Sequence, residues 1–170
     1  MRRLLGAAVV AVAGCGGEPP ECGTSVAEDI FIVTAIDSYN HALGPAQTGS
    51  IWGCPGGGTA TVEGTSTQGD PSMRFDDYTV TYDSCFDSTV DTKLTFSGVV
   101  HLKATWVLDT NAYYCNDCRI TADALMIKGT EAHCDEPNID RTCKVDFTVH
   151  GTAANTPQTY DGMICDFTFP

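Results

Sequence analysis

The cysteines are the residues of this chain whose number and spacing point most clearly to a chemical role, as disulfides, metal ligands or a redox pair. Nine are present, and eight of them follow residue 20: Cys22, Cys54, Cys85, Cys115, Cys118, Cys134, Cys143 and Cys165. An even number in an exported chain indicates four disulfides. Two pairings are favoured by position. Cys54 and Cys85 flank one strand region, and Cys134 lies a short loop away from Cys143.

A zinc site is the alternative use of part of this set. Cys115 and Cys118 are separated by two residues, and Cys134 and Cys143 follow with His133 beside them, which is the outline of a four-ligand zinc site. A redox-active Cys-x-x-Cys pair is also open. Such pairs follow a strand at the start of a helix, whereas residues 113–118 are typical of a turn between strands. Disulfides are therefore favoured over both alternatives.

Carboxylates and histidines are the other candidate catalytic groups. The acids cluster in segments predicted as loops, at Asp76, Asp77, Asp83, Asp87 and Asp91, and again at Asp135, Glu136 and Asp140. His101 and His150 fall on the polar face of predicted strands, where they could approach each other. Paired carboxylates with a histidine would suit a secreted hydrolase, but the chain has no nucleophile elbow, phosphate loop or zinc-protease motif. We expect no catalytic residue and no cofactor.

The amino terminus carries a targeting signal. Arg2 and Arg3 precede an uncharged stretch, residues 4–13, which is too short to span a bilayer as a helix. The sequence Val12-Ala13-Gly14-Cys15 resembles the lipobox of bacterial lipoproteins. This resemblance implies removal of residues 1–14 as a signal peptide, lipidation of Cys15 (a thioether lipid and a fatty acyl chain), and anchoring to a membrane of the bacterial envelope. Gly16 in place of Asp favours the outer membrane or cell surface by analogy with the enterobacterial sorting rule.

Composition limits the remaining classes of function. The chain has 170 residues, a formal charge of -13, 42% hydrophobic residues and 18% charged residues. The acid excess argues against nucleic-acid binding, which needs a basic face. The apolar content argues against a disordered acidic tail. We predict a flexible tether over residues 15–24 and a single disulfide-stabilised domain over residues 25–170.

Period-two alternation dominates that domain. Apolar residues occupy the even positions from Leu94 to Leu108, which predicts one long strand with a bend at Gly98. Ser25 and Glu28 form a capping-box pattern that predicts a helix over residues 25–43. A strand is the alternative, because residues 30–36 are rich in strand-forming side chains. The other predicted strands are residues 59–67, 78–82, 119–130, 144–152 and 160–169.

These elements predict a mainly β fold. We expect a curved antiparallel meander of about six strands, open or nearly closed into a barrel, packed on one N-terminal helix. At the level of fold this layout resembles the half-barrel lipoprotein carriers of the periplasm, and the resemblance implies an apolar cavity between helix and sheet. The predicted function is a non-enzymatic envelope lipoprotein that binds a protein partner or a small apolar ligand. The alternatives are the secreted hydrolase and the metal-binding domain.

Overall fold

The computed structural model describes residues 20–36, 49–88, 92–110, 112–132, 134, 138–153 and 158–169. The predicted signal peptide and Cys15 lie outside these residues, as do His133, Asp91 and the Asp135–Glu136 pair. Within them, eight strands form one antiparallel sheet whose spatial order follows the chain order. The predicted fold class, a mainly β meander with an N-terminal helix, is confirmed.

The strands differ greatly in length. Four long ones form the centre of the sheet, and short ones form its two edges. Their bounds are β1 Ser50–Gly53, β2 Thr59–Gln68, β3 Met73–Ser88, β4 Thr92–Asp109, β5 Ala112–Glu131, β6 Asn138–His150, β7 Thr159–Ile164 and β8 Phe167–Phe169. The sheet has two strands more than the six predicted. β1 was not predicted, and the segment 160–169 is divided into β7 and β8 by a turn at Cys165, whose φ is 53°.

Alternation in β4 produces two different faces. The even positions Leu94, Phe96, Val100, Leu102 and Trp106 are buried, and the odd positions face outward. We call these the inner and the outer face of the sheet. The sequence predicted this arrangement, because successive side chains of a strand point to opposite faces.

Bulges interrupt the long strands near their middles. The register between β3 and β4 shifts between Tyr82 and Cys85, where Ser84 has a φ of 53°. The register between β4 and β5 shifts between Ser97 and His101, around Gly98. Extra residues on one strand bend it and increase its twist. Gly98, with a φ of 131°, therefore lies at an irregularity where the sequence predicted a bend.

A helix covers the inner face. α1 spans Pro20–Phe31 and continues as a π-helical stretch, Ile32–Ile36. Val26, Ile30 and Val33 are all buried. The ring of Phe31 stacks on that of Trp106 at 6.4 Å between centroids.

The helix begins five residues earlier than predicted. α1 begins at Pro20, so residues 20–24, predicted as part of the flexible tether, are helical. Proline suits the first turn of a helix, where its missing N–H is not needed. The remainder of the predicted helix, residues 37–43, lies outside the described residues.

Four disulfides join the elements. The bonds are Cys22–Cys134, Cys54–Cys85, Cys115–Cys118 and Cys143–Cys165. The predicted Cys54–Cys85 bond is confirmed. The predicted Cys134–Cys143 bond is wrong, because Cys134 faces α1 beyond the end of β5 and Cys143 faces the β7–β8 turn. Four disulfides indicate a non-cytoplasmic, oxidising compartment.

Candidate functional site

The cysteines proposed as zinc ligands do not form a cluster. Cys115 bonds to Cys118, whereas Cys134 and Cys143 bond to cysteines outside the predicted set. A sulfur in a disulfide is not the thiolate that zinc requires. No group of three or more His, Cys, Asp or Glu side chains in the described part of the chain is arranged to hold a metal ion.

The Cys115–Cys118 bond links two residues within β5, where the sequence predicted a turn between strands. Cys115 lies opposite Trp106 and Cys118 opposite Ala104, with the register shift between them. In a regular strand, residues three apart face opposite sides, so the bulge at Asn116 allows both sulfurs to face inward. Both cysteines are fully buried, out of reach of a thiol partner.

The predicted histidine pair is also separated. His101 Nδ1 lies 3.1 Å from Thr79 Oγ1 on the outer face. The register runs from His101 through Thr121 to Asp146, and His150 lies four residues further along β6. Two strand spacings and four residue rises put the two histidines about 16 Å apart.

The acids predicted to cluster in loops lie mainly in strands. Asp76, Asp77, Asp83 and Asp87 belong to β3, and Asp140 belongs to β6, where it pairs with Lys128. Strand alternation sends Asp76 to the inner face and Asp77 to the outer face. The described carboxylates and histidines thus do not converge on one catalytic centre.

Asp76 belongs to a buried polar network on the inner face. Arg74 Nε donates a hydrogen bond to Asp76 Oδ1 at 2.7 Å, and Arg74 Nη2 donates one to Tyr78 Oη at 3.1 Å. Burial lowers the pKa of Arg74, but the hydrogen bond and the charge of Asp76 outweigh it, so the pKa is raised. Burial, followed by the charge of Asp76, raises the pKa of Tyr78. Arg74 thus links Asp76 and Tyr78 within the fold, while Asp76 Oδ2 accepts no hydrogen bond in the described part of the chain.

An open groove lies on the opposite side of these same strands. It is a groove of about 310 Å³. We call it the outer groove and define it by eight outward side chains from β2, β3, β4 and β5: Thr65, Thr67, Phe75, Asp77, Lys103, Thr105, Asp117 and Arg119.

Strand register arranges these side chains in two rows of four. In the first row, Phe75 lies between Thr67 and Thr105, and Asp117 follows Thr105. The second row is Thr65, Asp77, Lys103 and Arg119 in the same strand order. An aromatic ring is thereby placed beside hydroxyls and charges.

The charges of the outer groove balance. Lys103 Nζ lies 3.6 Å from Asp77 Oδ2. Arg119 donates to both carboxylate oxygens of Asp146, just outside the groove, at 3.1 to 3.3 Å. With Asp117 the groove holds two acids and two bases, in a chain whose formal charge is -13. The eight side chains that define the groove carry no net charge, and Asp146 adds one negative charge beside them.

The outer groove was not predicted from the sequence. One signal in the sequence points to it: Phe75 falls in the odd, outward phase of β3, while Tyr78, Val80 and Tyr82 occupy the even, inward phase. A large aromatic residue on the polar phase of a strand is the feature to look for.

The space between the first turns of α1 and the sheet is much smaller than the outer groove. Cys22 and Val26 of α1 face Ile127, Ile139 and Phe167 around a space of about 10 Å³. That is room for one water molecule at most. This part of the helix–sheet interface therefore has no space for an apolar ligand, contrary to the cavity that the likeness to periplasmic carriers implied.

No protein-family model, curated protein or solved structure matches this chain. Among the described residues, no helix is long and apolar enough to cross a membrane.

Proposed function

We propose that this protein is a non-enzymatic recognition module of the bacterial envelope, anchored by lipid at Cys15 and binding its partner through the outer groove. The observation that carries the proposal is the contrast between the two faces. The space beside Cys22 and Val26 of α1 is about 10 Å³, while the outer groove is about 310 Å³ and open to solvent. A carrier of apolar ligands requires the reverse.

Two features support the lipid anchor. The lipobox-like sequence ends at Cys15, which is not needed for any of the four disulfides. α1 begins at Pro20, five residues beyond Cys15. A chain of that length spans at most about 18 Å, so the proposed anchor holds the folded domain close to the membrane surface. Acyl chains contribute about 0.8 kcal/mol of membrane affinity for each buried CH₂ group.

Substitution of the anchoring cysteine tests this proposal. Cys15→Ser removes the thiol that accepts the lipid, and we expect the protein to move from the membrane fraction to the soluble fraction of a bacterial host. Gly17→Ser, which changes a nearby residue and leaves the lipobox intact, is the matched control and should stay with the membrane. Equal membrane association of Cys15→Ser and Gly17→Ser would refute the lipid anchor.

A further inference from the structure

We propose that the outer groove binds a neutral oligosaccharide, an inference that rests on the recognition function proposed above. The groove combines an exposed aromatic ring with hydroxyl groups and charge-balanced side chains on a rigid sheet. A sugar ring presents a face of C–H groups and a rim of hydroxyls, and the groove offers a complement to each.

Phe75 supplies the surface for the C–H face. Its side chain is one of the few large apolar ones exposed, at 41%, and lies between Thr67 and Thr105. A Cβ at Gly69 would come within 2.7 Å of the Phe75 ring, so glycine at that position gives the ring room beside the β2–β3 connection. The negative face of an aromatic ring attracts the weakly positive hydrogens of C–H groups.

The side chains around Phe75 supply the hydrogen bonds. Thr67 and Thr105 flank the ring, and Asp117 lies next to Thr105 in the same row. A threonine hydroxyl both donates and accepts, and a carboxylate accepts, so together they satisfy sugar hydroxyls in either role. These side chains stand on paired strands, which fixes their spacing before any ligand arrives and lowers the entropy lost on binding.

Charge favours a neutral ligand over an anionic one. Asp77 is paired with Lys103 and Arg119 with Asp146, so both cations of the outer groove are already paired, and Asp117 adds a further negative charge. An anionic ligand would compete with these carboxylates and meet the repulsion of an acidic chain, whose formal charge is -13. The volume of about 310 Å³ falls at the lower end of the range for small-ligand sites.

Calorimetric titration of the full-length, detergent-solubilised protein tests the inference. The probes are cellohexaose, maltohexaose and mannohexaose, with hexagalacturonate as the anionic comparison, each at about 1 mM. We expect at least one neutral probe to bind, and to bind more tightly than hexagalacturonate. Absence of binding by all three neutral probes, or tighter binding of hexagalacturonate, would overturn the proposal.

Phe75→Ala locates the site. We expect it to weaken binding of the neutral probe about tenfold, the effect of losing one aromatic contact. Val99→Ala is the matched control, because Val99 is on the same face with a similar exposed fraction, 43%, and lies about 13 Å along β4 from Lys103. Affinity unchanged in Phe75→Ala would place the sugar elsewhere and refute the site.

The two proposals fail in distinguishable ways. A failure of sugar binding would refute the proposed ligand class, but it would not change the membrane fractionation of Cys15→Ser, so the proposed lipid anchor would remain supported. Retention of Cys15→Ser in the membrane would remove the anchor and leave the titration result intact.

Discussion

Asp76 and Asp77 are consecutive residues of one strand, yet they belong to two different parts of the molecule. The Asp76 side chain faces inward, is 1% exposed, and accepts a hydrogen bond from Arg74 at 2.7 Å. The Asp77 side chain faces outward, is 64% exposed, and lies 3.6 Å from Lys103. The face of a strand, rather than the residue type, therefore decides whether a carboxylate is buried in the fold or remains accessible to a ligand.

The difference extends to the two faces as a whole. The inner face is built from large apolar side chains, is covered by α1, and holds the four disulfides. The outer groove, on β2 to β5 of the outer face, is built from threonine and charged side chains around Phe75. Stability is therefore expected to depend on the inner face, and recognition on the outer face.

The largest predicted effect concerns the disulfide that fixes the cover of the inner face. Cys22–Cys134 joins α1 to the chain beyond β5, and its two cysteines are 112 residues apart in the sequence. The cysteines of Cys115–Cys118 are only 3 residues apart. Loop-closure entropy then predicts losses in unfolding free energy of about 5 kcal/mol for Cys22→Ala with Cys134→Ala, and about 2 kcal/mol for Cys115→Ala with Cys118→Ala. Urea denaturation measures both. Equal losses would show that loop length does not govern the contribution of these bonds.

A smaller effect is predicted at alkaline pH. Burial raises the pKa of Tyr160, and the charges of Glu28 and Asp29 on α1 raise it further. Folding thus favours the protonated phenol. The protonated phenol of Tyr160 makes its full contribution to the unfolding free energy below the ordinary tyrosine pKa of 10.0. This contribution is lost as the pH rises above 10.0, because Tyr160 ionises in the unfolded chain before it ionises in the folded one.

Tyr160→Phe tests this pH dependence. Above pH 10 the wild type should lose stability relative to Tyr160→Phe by up to about 1.4 kcal/mol per pH unit. Below pH 10 the difference between the two proteins should be constant. Denaturation curves collected from pH 8 to pH 11 give both slopes, and parallel curves throughout that range would contradict the assigned role of Tyr160.

The sequence predicted the fold class because hydrophobic alternation in β4 is long and regular. β1 was missed and β8 was predicted as part of one strand with β7, because these edge strands have only four and three residues, too few to establish a period. The helix start was misplaced because Ser25 and Glu28 match a capping box that lies inside α1, after Pro20 had already begun the helix.

The candidate site depended on information that the sequence does not contain. Phe75, Thr105 and Asp117 lie on three different strands, and only the register of those strands brings them into one row. Disulfide pairing was similarly hidden, since the Cys115–Cys118 bond depends on a bulge and the Cys22–Cys134 bond on the placement of α1. The Cys54–Cys85 bond was predictable because both residues flank the same strand region.

The most direct test of the contrast between the two faces compares the cations that pair with the two aspartates. Arg74→Met and Lys103→Met each replace a long cation by an unbranched apolar side chain, and urea denaturation at pH 7 measures the cost. Arg74→Met leaves the Asp76 charge buried and should lower the unfolding free energy by about 3–5 kcal/mol. Lys103→Met should lower it by at most about 1 kcal/mol. Losses of equal size would contradict the division into a structural inner face and a recognition face outside it.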